Sequence, residues 1–187
     1  FGSYELLGST RDDAAGEAFD KVAKILGLGY PGGPVIDKLA AQGDADAYQL
    51  PTPLSNTDEI EFSFSGLKTA AVTIVKKHGE AGEKLQLADF CASFQKAVVS
   101  SLTNKIALAV KKTGIKRLTM SGGVAANSGL RTALTSMSAK RGWELFLPPK
   151  AMCTDNAVMV AAAGYSNFMR GITSDMTLSP SPSWEIW

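Results

Sequence analysis

Arg117-Leu-Thr-Met-Ser-Gly-Gly-Val-Ala-Ala-Asn127 decides the fold class, because it packs a strand, a two-glycine turn and a helix start into eleven residues. Arg117 to Met120 reads as a strand, Gly122-Gly123 as the turn, and Val124 to Lys140 as a helix. The alternation then repeats: Glu144 to Leu147 is a predicted strand, Pro148 to Met152 a loop, and Thr154 to Met169 a helix. Such alternation predicts an α/β domain whose central, largely parallel mixed sheet is flanked by helices.

Upstream the chain reads as mostly helical. Tyr4 to Leu7 is a predicted strand, followed by a turn over Gly8 to Arg11. From Asp12 to Leu28, Ala15, Phe19, Val22, Ala23 and Leu26 recur on one helical face, and the acids of the first turn suit the positive end of the helix dipole. Tyr30-Pro-Gly-Gly-Pro34 is a turn into a helix from Val35 to Gln42. Residues 43–60 read as a polar surface loop carrying Pro51 and Pro53. Phe62-Ser-Phe-Ser-Gly-Leu-Lys-Thr69 turns into a helix reaching Lys77. A long helix from Leu85 to Thr113 carries Leu87, Phe90, Phe94, Val98, Leu102, Ile106 and Val110, and Gly114 closes it. Ser179 onward, residues 179–187, is expected to be a surface tail.

With 187 residues, 45% apolar and 20% charged, the chain has the composition of a single globular domain. A net charge of +1 creates no field that would announce a nucleic acid or a membrane. No apolar run reaches the roughly 18 residues of a membrane span, so no membrane partner is expected. Two cysteines, Cys91 and Cys153, suit a reducing, cytoplasmic setting. The chain opens on Phe1 without an initiator Met or signal peptide, and is expected to be cut from something longer.

Four places can carry chemistry. Gly122-Gly123 ahead of a helix lets a ligand approach backbone N–H groups, with Asn127 one turn in to hold a phosphate, ribose or base edge; a plain β–α turn is the alternative. Asp13, Gly16 and Asp20 share one helix face, where a carboxylate can accept from a ribose diol or simply be solvated. Gly32-Gly33 with Asp37 repeats the first pattern. In Cys153-Thr-Asp-Asn156, Thr154 or Asp155 is either an N-cap or, for Asp155, a hard metal ligand. His78 is the only histidine. No zinc helix and no Ser/Cys–His pair can be built, so a triad hydrolase is unsupported.

Taken in order, Asp12-Asp-Ala-Ala-Gly-Glu-Ala-Phe-Asp-Lys21, Tyr30-Pro-Gly-Gly-Pro34, Phe62 to Thr69, Ser121-Gly-Gly-Val-Ala-Ala-Asn127 and Cys153-Thr-Asp-Asn156 resemble the bacterial tRNA threonylcarbamoyladenosine synthase catalytic subunit family, formerly called the glycoprotease family. The resemblance covers the whole chain and the C-terminal part of the family's length. It implies one lobe, residues 1–187, of an actin/Hsp70/sugar-kinase-like (ribonuclease H-like) fold, without the N-terminal lobe. It implies transfer of a threonylcarbamoyl group from threonylcarbamoyl-adenylate to N6 of adenosine 37 in tRNAs reading ANN codons. By motif match, Asp20, Gly33, Asp37 and Asn127 are substrate or nucleotide contacts, and Asp155 is one ligand of an iron or zinc ion. That ion's two histidines come from the first lobe, whose His-x-x-x-His segment and glycine-rich loop have no match here. The stretch alone is therefore expected to be inactive, and no catalytic residue is assigned. Implied partners are tRNA, a paralogous subunit of the same fold and a small ATPase; the isolated lobe is expected to self-associate through an uncovered apolar face. A metallo-glycoprotease and a non-catalytic nucleotide-binding scaffold are the alternatives.

Overall fold

In the computed structural model, residues 2–180 are described; the end of the expected tail, 181–187, lies outside them. Among the described residues six helices and two strands follow in order: α1 Ala15–Ile25, α2 Gly32–Ala40, α3 Ser65–Glu80, α4 Leu87–Thr113, β1 Arg117–Thr119, α5 Ser128–Arg141, β2 Glu144–Phe146 and α6 Ala157–Met169. Short 3₁₀ turns occupy Gly123–Ala126 and Lys150–Met152.

The apolar spacing of α1 buries Ala18, Phe19, Val22 and Ala23, the face its sequence marks out. These side chains meet Ile36 of α2, Leu67 of α3 and Phe90, Phe94 and Val98 of α4 in one core. Phe19 meets Phe94 edge to face, with ring centroids 5.4 Å apart. Every residue from Phe90 to Gln95 is buried, so α4 is enclosed on all sides over that stretch. Full burial of each Phe ring contributes about 1.5–3 kcal/mol. Gly114, at φ 73°, ends α4 in the left-handed conformation that its position after the last periodic residue predicts.

The class is mixed α/β, but the centre is not a sheet. β1 and β2 form a two-stranded parallel sheet in the register Arg117–Glu144, Leu118–Leu145 and Thr119–Phe146, with α5 as the crossover between them. The segment around Tyr4–Leu7 forms no strand; it reaches the 62–64 segment through a single parallel bridge, Thr10 to Phe62. Tyr4, Leu6 and Leu7 stay about half exposed. A parallel sheet is stable when its faces are covered and its edges paired. Here the helices pack instead around α4, and the two strands stay outside that core with their residues exposed or half-buried.

The motif Asp12-Asp13 is a structural tie. Asp12 accepts from the backbone N–H groups of Phe64 (2.8 Å) and Ser65 (3.1 Å) and from Ser63 Oγ (2.6 Å), capping α3 from a distant segment. Partial burial pushes the Asp12 carboxyl up, but these hydrogen bonds outweigh it and hold it below the ordinary range. Asp13 accepts from Lys68 (2.8 Å) and Lys21 (2.9 Å), which hold its pKa down at about 2. A carboxyl whose folded pKa lies below its ordinary 3.8 adds stability above pH 4 and loses it as pH falls toward 2. Asp13→Asn should therefore melt below the wild type at neutral pH, and the gap should close as pH is lowered from about 4 to about 2. Equal melting temperatures at pH 7 would show that the Lys21–Asp13–Lys68 group adds nothing.

Lys105 is buried on α4. Its Nζ donates to the carbonyls of Thr57 (2.9 Å) and Glu59 (2.7 Å) and to Thr57 Oγ1 (2.9 Å), fastening the 43–60 segment. At the other end of the chain α6 buries no side chain: Val158, Met159, Val160, Tyr165, Phe168 and Met169 are each at least half exposed. No helix among the described residues is long and apolar enough to cross a membrane.

Candidate functional site

Gly122 has φ 87° and ψ 167°, a conformation open in practice to glycine alone, and it turns the chain away from β1. The 3₁₀ turn Gly123–Ala126 follows, so α5 begins at Ser128 rather than at the expected Val124. That shift changes the role of Asn127. It lies not one turn inside the helix but at its N-cap, with Oδ1 accepting from Leu130 N at 2.9 Å. Its Nδ2 donates to Gln95 Oε1 of α4 at 2.7 Å, and the residue is only 8% exposed. Two of the polar functions expected to face a ligand are thus spent inside the fold.

Asp37 reinforces the same helix start from α2. Its carboxylate accepts from Ser128 N at 3.1 Å through each oxygen and from Ser128 Oγ at 2.7 Å. A negative charge at a helix N-terminus is favoured by the unpaired N–H groups there. Asp20 performs the equivalent task one step earlier, accepting from Gly32 N at 2.7 Å. Pro31, the residue before α2, has no side chain able to cap, so the carboxylate arrives from α1. Helix α2 begins at Gly32 instead of Val35, with Pro34 inside the first turn, where a missing N–H costs nothing.

The glycines divide into two kinds. A Cβ on Gly32 would lie 2.5 Å from Ala23 Cβ and 2.8 Å from the Phe19 carbonyl oxygen, so this glycine serves the close packing of α2 on α1. Gly33 and Gly123 have no heavy atom within 4 Å of a Cβ position and face open space. Helix α1 packs on the 3₁₀ turn, with the Gly16 Cβ position 3.5 Å from Val124 Cγ2. Asp20, Gly33, Asp37 and Asn127 are thereby joined through one chain of helix caps, α1 to α2 to α5. The open cavity of about 500 Å³ beside Asp20 is lined by Glu17, Lys21, Lys24, Gly27, Gly29 and Tyr30. Gly33, Gly123 and Asn127 do not line it.

Asp155 lies beyond the second 3₁₀ turn, exposed, and takes no hydrogen bond from the described residues. The cap of α6 is Asn156, whose Oδ1 accepts from Met159 N at 3.0 Å, so neither Thr154 nor Asp155 is the N-cap. An exposed carboxylate is a fitting hard ligand, yet no group of three His, Cys, Asp or Glu side chains that could hold a metal occurs among the described residues. His78 sits on α3 with Nδ1 3.1 Å from the Ile74 carbonyl oxygen. The residues in hand do not complete a metal site.

Two residues central to this arrangement escape sequence reading. Gln95 is a polar side chain on the mostly apolar, buried stretch from Phe90 to Val98 of α4, which is the one signal available. Arg131 carries none; its guanidinium meets Ala125, Pro148 and Cys153, which the chain brings together only on folding.

The family model described as tRNA N6-adenosine threonylcarbamoyltransferase matches residues 1–162. Curated relatives of that name include one from Anaeromyxobacter sp. (strain Fw109-5), 51% identical over 187 residues, or 100% of this chain and 56% of the relative. One from Geobacter sp. (strain M21) is 52% identical over 99% of this chain and 54% of its own. One from Clostridioides difficile (strain 630) is 46% identical over 100% and 55%. The chain spans about half the length of the curated relatives it matches.

Proposed function

The chain belongs to the tRNA N6-adenosine threonylcarbamoyltransferase family, and from that premise we propose that it is the nucleotide-binding part of an enzyme that threonylcarbamoylates adenosine 37 of tRNAs reading ANN codons. The N6 amine attacks the carbamoyl carbon of threonylcarbamoyl-adenylate, a C–N bond forms, the C–O bond to phosphate breaks, AMP leaves, and N6 loses a proton. The observation that carries this reading is the sequence match over the whole of this chain together with open-faced Gly33 and Gly123 near the starts of α2 and of the 3₁₀ turn before α5. Asp20 and Asp37 already take Gly32 N and Ser128 N, so a phosphate would be received by the neighbouring N–H groups of Gly33 and Gly123.

In this reading Asp20, Gly33, Asp37 and Asn127 bind and orient the adenylate. Asp20 and Asp37 act by fixing the starts of α2 and α5, and their remaining lone pairs can accept from the ribose. Asn127 offers its second amide N–H. Asp155 supplies one ligand to an iron or zinc ion, which would polarise the transferring group; the other ligands come from the rest of the enzyme. Partners are tRNA, a paralogous subunit and a small ATPase, and the setting is cytoplasmic.

The test incubates the complete protein with threonylcarbamoyl-adenylate and unmodified tRNA, followed by mass spectrometry of the nucleosides. Threonylcarbamoyladenosine should accumulate with release of AMP. Its absence, with all partner subunits supplied, would overturn the proposal.

A further inference from the structure

Arg131 lies in the first turn of α5, the end of a helix at which a cation is disfavoured by the dipole. Its guanidinium is engaged away from the helix. Nε donates to the Ala125 carbonyl at 2.6 Å, inside the 3₁₀ turn of the nucleotide site. Nη2 donates to the Pro148 carbonyl and lies 3.2 Å from Cys153 Sγ, in the loop that leads to Asp155. Cys153 is buried, and its thiol turns back to the Pro149 carbonyl at 3.6 Å. No backbone hydrogen bond among the described residues joins segment 121–127 to segment 148–156.

We propose that Arg131 is a positioning residue: one guanidinium fork sets the separation between the nucleotide turn and the loop that presents Asp155. The inference rests on the functional reading above. The two ends of the strut depend on it unequally. The turn is held independently, by Asn127 with Gln95 and by Asp37 with Ser128. The loop's other bonds are local, Met152 N to Pro149 O, Cys153 N to Lys150 O and Asn156 Nδ2 to Thr154 O. Removing the fork therefore leaves a nucleotide its seat and lets the Asp155 loop drift. Lysine cannot substitute, because a single ammonium on a flexible stem does not span two carbonyls in a fixed plane.

The experiment compares wild type, Arg131→Lys and Arg131→Met in the complete protein. AMP binding is followed by calorimetry, and transfer from threonylcarbamoyl-adenylate by steady-state kinetics. Both variants should bind one AMP per chain with affinity within about threefold of wild type, while kcat falls about a hundredfold at nearly constant KM. Binding stoichiometry separates this outcome from partial unfolding, which would reduce the number of sites and kcat together and would overturn the proposal. An Arg131→Lys enzyme with wild-type kcat would overturn it too. Hydrogen exchange at residues 150–155 should quicken about tenfold in Arg131→Met without change over 87–113. That arm holds for whatever reaction the protein performs: unchanged exchange sinks the strut, whereas a wild type that transfers nothing sinks the functional reading instead. If Arg131→Met fails to fold, Arg131→Lys and Cys153→Ala carry the exchange measurement, the latter loosening only 150–153.

Discussion

Asp155→Ala in the complete protein should lose the metal proposed for that site and tRNA modification by about a hundredfold or more, while the metal-free variant and metal-free wild type melt within roughly 2 °C of each other. The two halves of this expectation have separate grounds. The carboxylate is exposed and bonds to no described residue, so its removal takes away no contact that holds the chain together. The helix start it precedes is capped by Asn156, and Asn156→Ala should do the reverse, costing about 1 kcal/mol of stability as a lost cap does. A metal site left with one ligand fewer binds weakly, because iron and zinc require several protein donors. Metal content by mass spectrometry and melting of both variants read the contrast directly. An Asp155→Ala protein with full metal and full activity would remove Asp155 from the catalytic centre.

Gly123→Val should weaken AMP binding by about thirtyfold or more, roughly 2 kcal/mol, while the chain still folds. The added side chain enters open space, since no heavy atom lies within 4 Å of the Cβ position. That same space is the approach a phosphate needs to reach backbone N–H groups. Two neighbouring substitutions set the scale. Gly122→Val places a branched side chain at φ 87° and should lose stability and binding together. Gly32→Ala collides with Ala23 and the Phe19 carbonyl, and should lose stability by separating α1 from α2. Calorimetry with AMP, set beside thermal melts, distinguishes the three. Unchanged AMP affinity in Gly123→Val would place the nucleotide elsewhere.

Helix faces were legible where apolar spacing was regular. The face of α1 and the reach of α4 to Gly114 follow from side chains three and four apart, a local property of the chain. The β1–α5–β2 unit was legible from the alternation of short apolar runs with the Gly122-Gly123 turn and the helical stretch after it, also a local property. The start of α5 was not, because Val124, Ala125 and Ala126 suit a helix and a 3₁₀ turn equally. Asn127 ahead of Ser128 is the cap signal that separates them, and Gln95 and Asp37 complete it from elsewhere in the chain. Likewise Asp12 and Asp13 read as the acidic first turn of their own helix. In the fold Asp12 caps α3, fifty residues on, and Asp13 pairs with Lys68 there.

The amino-acid order by itself determined the class of fold, the apolar faces, the left-handed stop at Gly114 and the motif series that places the chain in its family. These depend on spacing and on the conformational range of single residues, both present before folding. Tertiary structure decided that α4, not a sheet, lies at the centre, that Asp20 and Asp37 start helices on neighbouring segments, and that Arg131 joins two loops. Each of those is a hydrogen bond or a packing contact between groups far apart in the chain. Its partners become neighbours only once the core has closed, and a buried polar group then takes whichever partner is in reach.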